Sequence, residues 1–245
     1  MHKGWSRDNL AIARDFYDSA MAADPNNVDA RVGSARADVS AAMQFLLGDR
    51  SATFAAAEAK LTSALSSVPD HARGHLLLGM VYMMTKRASE CIAEYEHALA
   101  LDRNLASAHA FIGLGKIFIG RAEETEAHIV DALRLSPRDT RAYTWMMSAG
   151  LANNFLGLHE QAVAWSRRAI EANRNYPMPY VHLGIALAQL GRLDEARSAV
   201  GAGLALNPTF SIARAVWTAM SDDPTYLTTL EPILDGLRKA GVPEQ

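Results

Sequence analysis

Apolar side chains recur along this chain at every third or fourth residue. They fall in segments of about a dozen residues or more, broken by short runs containing Gly, Pro or Asp. The pattern is clearest over residues 177–210. Tyr180, Leu183, Gly184 and Leu187 mark one face of a first helix, and Gly191 permits a tight turn. Asp194 and Glu195 then open a second helix, which bears Leu193, Ala196, Val200, Gly203, Leu204 and Leu206. Pro208 ends it, because proline lacks an amide donor and disfavours helix in the residue before it. Ala and Leu are plentiful and β-branched runs are few, which favours helix throughout. The periodicity predicts thirteen helices and no strand.

Prolines supply a ruler. Pro69 and Pro137 are 68 residues apart, twice 34; Pro137 and Pro208 are 71 apart, and Pro25 and Pro69 are 44 apart. These offsets predict a three-residue insertion in one unit and a ten-residue insertion in another. Small residues keep the same register. Counting from Pro177, Leu-Gly falls at positions 7 and 8, Gly at 15, Ala at 20 and Pro at 32. Only small side chains fit at positions 8 and 20 if the paired helices cross there, and larger apolar residues at 7, 11, 24 and 28 fill the space beside the crossing.

This multi-position register resembles the tetratricopeptide (TPR) repeat, a helix–turn–helix of 34 residues. The resemblance implies an all-α, right-handed α-solenoid of such repeats with a C-terminal capping helix. A half repeat covers 7–27, full repeats cover 28–71, 72–105, 106–139, 140–176 and 177–210, and capping helices cover 211–245, all in one array. The half repeat places Ala13 at position 20 and Tyr17 at 24; it exposes an apolar stripe unless Trp5 or another chain covers it, which suggests a piece of a longer protein. In 28–71 the excess lies between the helices, with the first helix reaching about Leu47, Gly48–Arg50 turning and Ser51 capping the next. In 140–176 the excess is expected as nearly one more turn of the first helix. After 211–220, Asp222, Asp223 and Pro224 break the pattern and start a final helix over 225–240, with Glu231, Asp235, Arg238 and Lys239 on one side and a kink expected at Pro232. The runs AYTWMMSAG and HEQAVAWSRRAIEANRNYP, with the ending DPTYL and LDGLRKAGVPE, also resemble the TPR region that follows the catalytic domain of bacterial class III adenylate/guanylate cyclases. No cyclase catalytic motif is present, so no activity is implied.

Composition narrows the function classes. With 245 residues and 49% apolar content the chain can bury a large core. A net charge of −3 argues against nucleic acid as the main partner. The lone Cys91 permits no internal disulfide and suits a reducing compartment. The start has no apolar signal segment and no run of about 18 apolar residues exists, so a cytoplasmic protein that meets no membrane is expected.

Candidate chemistry is sparse. The stretch GLGKIFIG at 113–120 lacks phosphate-loop spacing, since Lys116 is followed by Ile117. His71 and His75 share a spacing used by metal ligands, but no third ligand is forced near them, and His159-Glu160 lacks the second histidine of a zinc protease helix. His128 follows Glu124 by four residues, an ordinary helix surface pair. Cys91, at the small position 20, reads as packing. No enzyme, cofactor or metal is expected. The resemblance instead directs attention to the first helices, whose positions 2, 5, 9, 12 and 13 line the concave side in TPR arrays. Here these are Arg73, Leu76, Met80, Met83 and Met84; Ser107, Ala110, Leu114, Ile117 and Phe118; and Met178, Val181, Ile185, Ala188 and Gln189. The first repeat is more polar there, and Arg141, Thr144 and Ser148 are candidates in the repeat with the insertion. Such an apolar lining is expected to bind a peptide or helix of a protein partner, or a second copy in a homo-oligomer, unless tight winding buries it within the array.

Overall fold

The structure is a computed structural model and describes residues 7–43, 49–217 and 221–245. Leu47, Gly48 and Trp5, to which the sequence assigns a helix end, a turn and a cover, lie outside the described residues. Thirteen α-helices and no strand are found among the described residues. The chain forms two compact units divided after Arg103. The first holds α1 (Arg7–Ala23), α2 (Val28–Met43), α3 (Arg50–Ser67), α4 (Ala72–Met84) and α5 (Ala88–Leu101). The second holds α6 (Ala106–Phe118), a single 3-10 turn (Ala122–Glu124), α7 (Thr125–Leu135), α8 (Ala142–Phe155) and α9 (His159–Ala172). It continues with α10 (Met178–Gln189), α11 (Leu193–Leu206), α12 (Ile212–Trp217) and α13 (Pro224–Lys239).

Helices pair in sequence order, and the crossing points explain why. In α4 a Cβ on Gly79 would stand 2.5 Å from the Tyr95 ring and 3.0 Å from the Cys91 carbonyl of α5. In α10 a Cβ on Gly184 would stand 2.4 Å from Val200 of α11. The facing small residues Ala57, Cys91, Thr125, Ala162 and Ala196 are all fully buried. Close backbone approach lets the flanking apolar side chains interdigitate at interior density. In the first unit Val32, Ala35, Val39, Phe54, Leu61 and Leu78 form one core. In the second, Trp145, Trp165, Ile129 and Ala149 form one core, and Val181, Leu183, Leu187, Val200 and Ile233 form another.

Two local expectations are corrected. The cap of α3 is Asp49, not Ser51: its Oδ1 accepts from the Ala52 amide at 2.9 Å, and α3 starts at Arg50. An aspartate at that place satisfies an otherwise orphaned first-turn donor. The three extra residues of the fourth repeat do not lengthen its first helix by a turn. Helix α8 has 14 residues, against 13 in α4 and in α6. Gly150 meets Ser166 at the crossing, Gly157 turns with φ +71°, and Ala162 is buried on α9. These three keep the spacing of Gly184, Gly191 and Ala196, so the excess precedes Tyr143, around the connection into α8.

Candidate functional site

The face carrying positions 2, 5, 9, 12 and 13 has a different fate in each unit. On α4, Arg73 is exposed, Leu76, Met80 and Met84 are half-buried, and Met83 is buried. Met84 Sδ accepts from Arg50 Nη2 at 3.6 Å, and that guanidinium also stacks over the Phe54 ring. Helix α4 is anchored at its start by His71, whose Nδ1 accepts from the Gly74 amide at 2.9 Å while Nε2 meets Asp29 at 3.1 Å. His75 is buried, between Glu94 at 2.6 Å and the Pro69 carbonyl at 2.7 Å, and its ring lies 3.9 Å from that of His97. The two histidines therefore do separate structural work.

In the second unit Ala110, Ile117, Phe118, Val181 and Ile185 are buried, and Leu114 and Met178 are half-buried. The reason is α13. It does not stack on α11 as a further repeat would; it lies against α10 and α8 and reaches only the C-terminal end of α6. Tyr226 sits between Phe118 of α6, edge-on at 5.6 Å, and Phe155 of α8, stacked at 5.4 Å. Thr225 meets Gly120 at the end of α6. Further along, a Cβ on Gly236 would stand 2.9 Å from Ile185, and Gln189 Nε2 donates to the Pro232 carbonyl at 2.7 Å. Ala240, just past α13, lies beside Gly184. The start of α13 is capped by Asp223, whose Oδ1 accepts from Thr225 and Tyr226 amides. After it, the Pro243 and Glu244 carbonyls accept from the first amides of α12. The charged residues expected on one side, Glu231, Arg238 and Lys239, are exposed.

The sequence reading missed two features. Phe155 occupies position 13 once Gly150 sets the register of α8, so Thr144 falls at position 2 while Arg141 and Ser148 fall at none of the five positions. The glycine spacing was the signal. The other is Asp38, buried on α2, which Arg14 of α1 and Lys60 of α3 both contact, the latter at 2.7 Å. Nothing in the local pattern brings three helices to one carboxylate.

The remaining sequence motifs are structural. Lys116 is buried and pairs with Glu124 at 3.1 Å, and Arg121 pairs with the same carboxylate. Glu124 is thus engaged by cations, and His128, read from the sequence as its surface partner, is half-buried with its ring 6.0 Å from that of His109. Burial, then the neighbouring His109 and Lys116, hold His128 below the usual histidine pKa. No group of three His, Cys, Asp or Glu able to hold a metal occurs among the described residues. No described helix is long and apolar enough to cross a membrane.

Comparison with known proteins agrees with this architecture. Residues 72–105 match the family model described as tetratricopeptide repeat. No curated protein matches the sequence. Among solved structures, PilW, a type IV pilus biogenesis factor, is 19% identical with a TM-score of 0.62, covering 83% of this chain and 96% of its own. A thermophilic TPR protein of Thermus thermophilus is 17% identical with a TM-score of 0.60, covering 80% and 99%. YrrB, described as a TPR protein with an unusual peptide-binding site, is 22% identical with a TM-score of 0.50, covering 74% and 95%. The fold is that of an all-α TPR solenoid. Neither the family model nor these structures brings in a cyclase.

Proposed function

We propose that the chain is a protein-interaction module whose apolar groove-side face receives a peptide or amphipathic helix of a partner. The supporting observation is the face of α4, where Leu76, Met80 and Met84 remain half-buried beside exposed Arg73. Burying such side chains is worth about 1.5–3 kcal/mol each before association costs, and methionine adapts to varied partner shapes. A TPR fold with a described peptide-binding site, YrrB, is among the similar structures. The test is a library of amphipathic helical peptides screened against the full chain, with Met80→Glu as control. Peptides whose affinity falls at least ten-fold in Met80→Glu support the reading; a hit set indifferent to this substitution, in a variant with unchanged circular dichroism, refutes it.

A second reading, regulation or self-association within a larger signalling protein such as a cyclase or transcription regulator, has one observation in its favour. Ile12 and Phe16 on α1, one turn apart, are 68% and 71% exposed. A protein that stays monomeric by light scattering at high concentration, with or without Phe16→Glu, removes the self-association form.

A further inference from the structure

Helix α13 occupies the second unit in the manner of a ligand. It is amphipathic, and of its 16 residues only Tyr226, Ile233, Gly236 and Leu237 are buried, whereas α10 beneath it buries most of its length. Ile233 and Leu237, with Ala240 and Val242 beyond the helix, join the apolar core of α10 and α11, and three further contacts add to the grip. Tyr226 inserts between the rings of Phe118 and Phe155. Gly236 allows close approach to Ile185. Gln189 Nε2 donates to the carbonyl of Pro232, mid-helix, at 2.7 Å. Leu227 is 45% exposed and Asp235 and Lys239 pair with each other at 2.6 Å, so the outer side faces water.

We infer that α13 is a removable occupant of the face formed by α10, α8 and the C-terminal end of α6, and that this face receives an amphipathic helix of a partner protein once α13 lifts away. The inference rests on the proposed interaction role and adds its regulation. The chemistry of the partner follows from what the face already holds: an aromatic residue for the Phe118–Phe155 slot, a β-branched residue seven positions later in the Ile233 place, and a Gly-Leu pair three beyond it. A helix in this place shields Phe118, Ile185 and Gln189, three of the side chains that the sequence pattern assigns to the groove. A competing helix therefore has to gain more from the face than α13 does, since only a difference in affinity shifts such an equilibrium.

The experiment uses the 245-residue chain and a fluorescein-labelled peptide of residues 221–242. Gly236→Leu places a branched side chain against Ile185, where even a Cβ has only 2.9 Å, and lifts α13. This variant should bind the peptide at least ten-fold more tightly than the unaltered chain. Ile185→Cys with Gly236→Cys, in a Cys91→Ala background, staples α13 in place by a disulfide; it should bind no peptide until dithiothreitol restores the level of the unaltered chain. A Gly236→Leu chain of native helix content that binds no better, or a staple without effect, overturns the inference. Hydrogen exchange of the unaltered chain gives a readout independent of variant folding: residues 224–239 should exchange at least ten-fold faster than 178–189, and equal protection overturns the inference. Dimers formed by exchange of α13 would assign the face to a second copy and overturn the partner reading. None of these outcomes depends on Met80, so failure here leaves the α4 test standing.

Discussion

Cys91 shows how position decides chemistry. Fully buried at the crossing of α4 and α5, its Sγ donates to the Ala88 carbonyl at 2.9 Å, and burial, then the charge of Glu90, push the thiol up to about 12. It should resist iodoacetamide at pH 8 in the native state and react within minutes in denaturant, as followed by mass spectrometry. His182 on α10 is the opposite case. Burial lowers it from 6.5 to about 4, against a smaller opposing effect of a backbone hydrogen bond at Met147. The unfolded chain therefore takes up a proton first on acidification. The stability from keeping this ring neutral is complete above about pH 6.5 and is lost as pH falls from 6.5 toward 4, by roughly 3 kcal/mol at most. Urea unfolding at pH 7 and 4.5 measures the slope, and His182→Leu should flatten it. Glycines separate just as sharply. Gly79→Ala drives a Cβ into Tyr95 and the Cys91 carbonyl and should cost about 1–3 kcal/mol. Gly201→Ala on the open side of α11 meets nothing within 4 Å and should stabilise by about 0.5–1 kcal/mol. Thermal melts of the two variants should move in opposite directions. The small-residue register that makes Gly79 intolerant is readable in the sequence; the burial that sets the His182 pKa is not, because His182 falls between the marked positions of its repeat.

At the scale of the element, the intra-repeat turn is the informative case. Three first helices end at Gly120, Gly157 and Gly191, with φ of +72°, +71° and +76°; in the second repeat the same position is Lys86, at φ 64°. A left-handed residue with a Cβ costs about 1–2 kcal/mol. Lys86→Gly should thus raise the midpoint of urea unfolding, and an unchanged or lower midpoint would contradict the assignment. The bounds of the helix pairs were legible because turn, crossing and stop each demand a residue type. The insertions were only half legible. Proline spacing gave their sizes, but a three-residue excess looks the same in a helix or a loop until the crossing glycine, Gly150, is seen against Ser166. Asp49 as cap of α3 was hidden for a like reason, since Asp49 and Ser51 both suit the role chemically and only the backbone path chooses.

For the whole molecule, the decisive element is α13. Tyr226→Ala empties the slot between Phe118 and Phe155, and should speed exchange throughout 224–239 while leaving α4 amides unchanged. Mass spectrometry of both segments in one sample is the check. The sequence by itself determined the all-helical class, the pairing of neighbouring helices and which residues share one face of each first helix except α8. All of these follow from contacts between positions close in the chain, where periodicity and side-chain size suffice. Tertiary structure alone decided which part of that face is covered. The meeting of Tyr226 with Phe118 and of Pro232 with Gln189 joins segments far apart in sequence, and so does the convergence of Arg14, Asp38 and Lys60. No local period encodes such meetings, because they depend on where α13 and α1 come to rest rather than on how each helix forms.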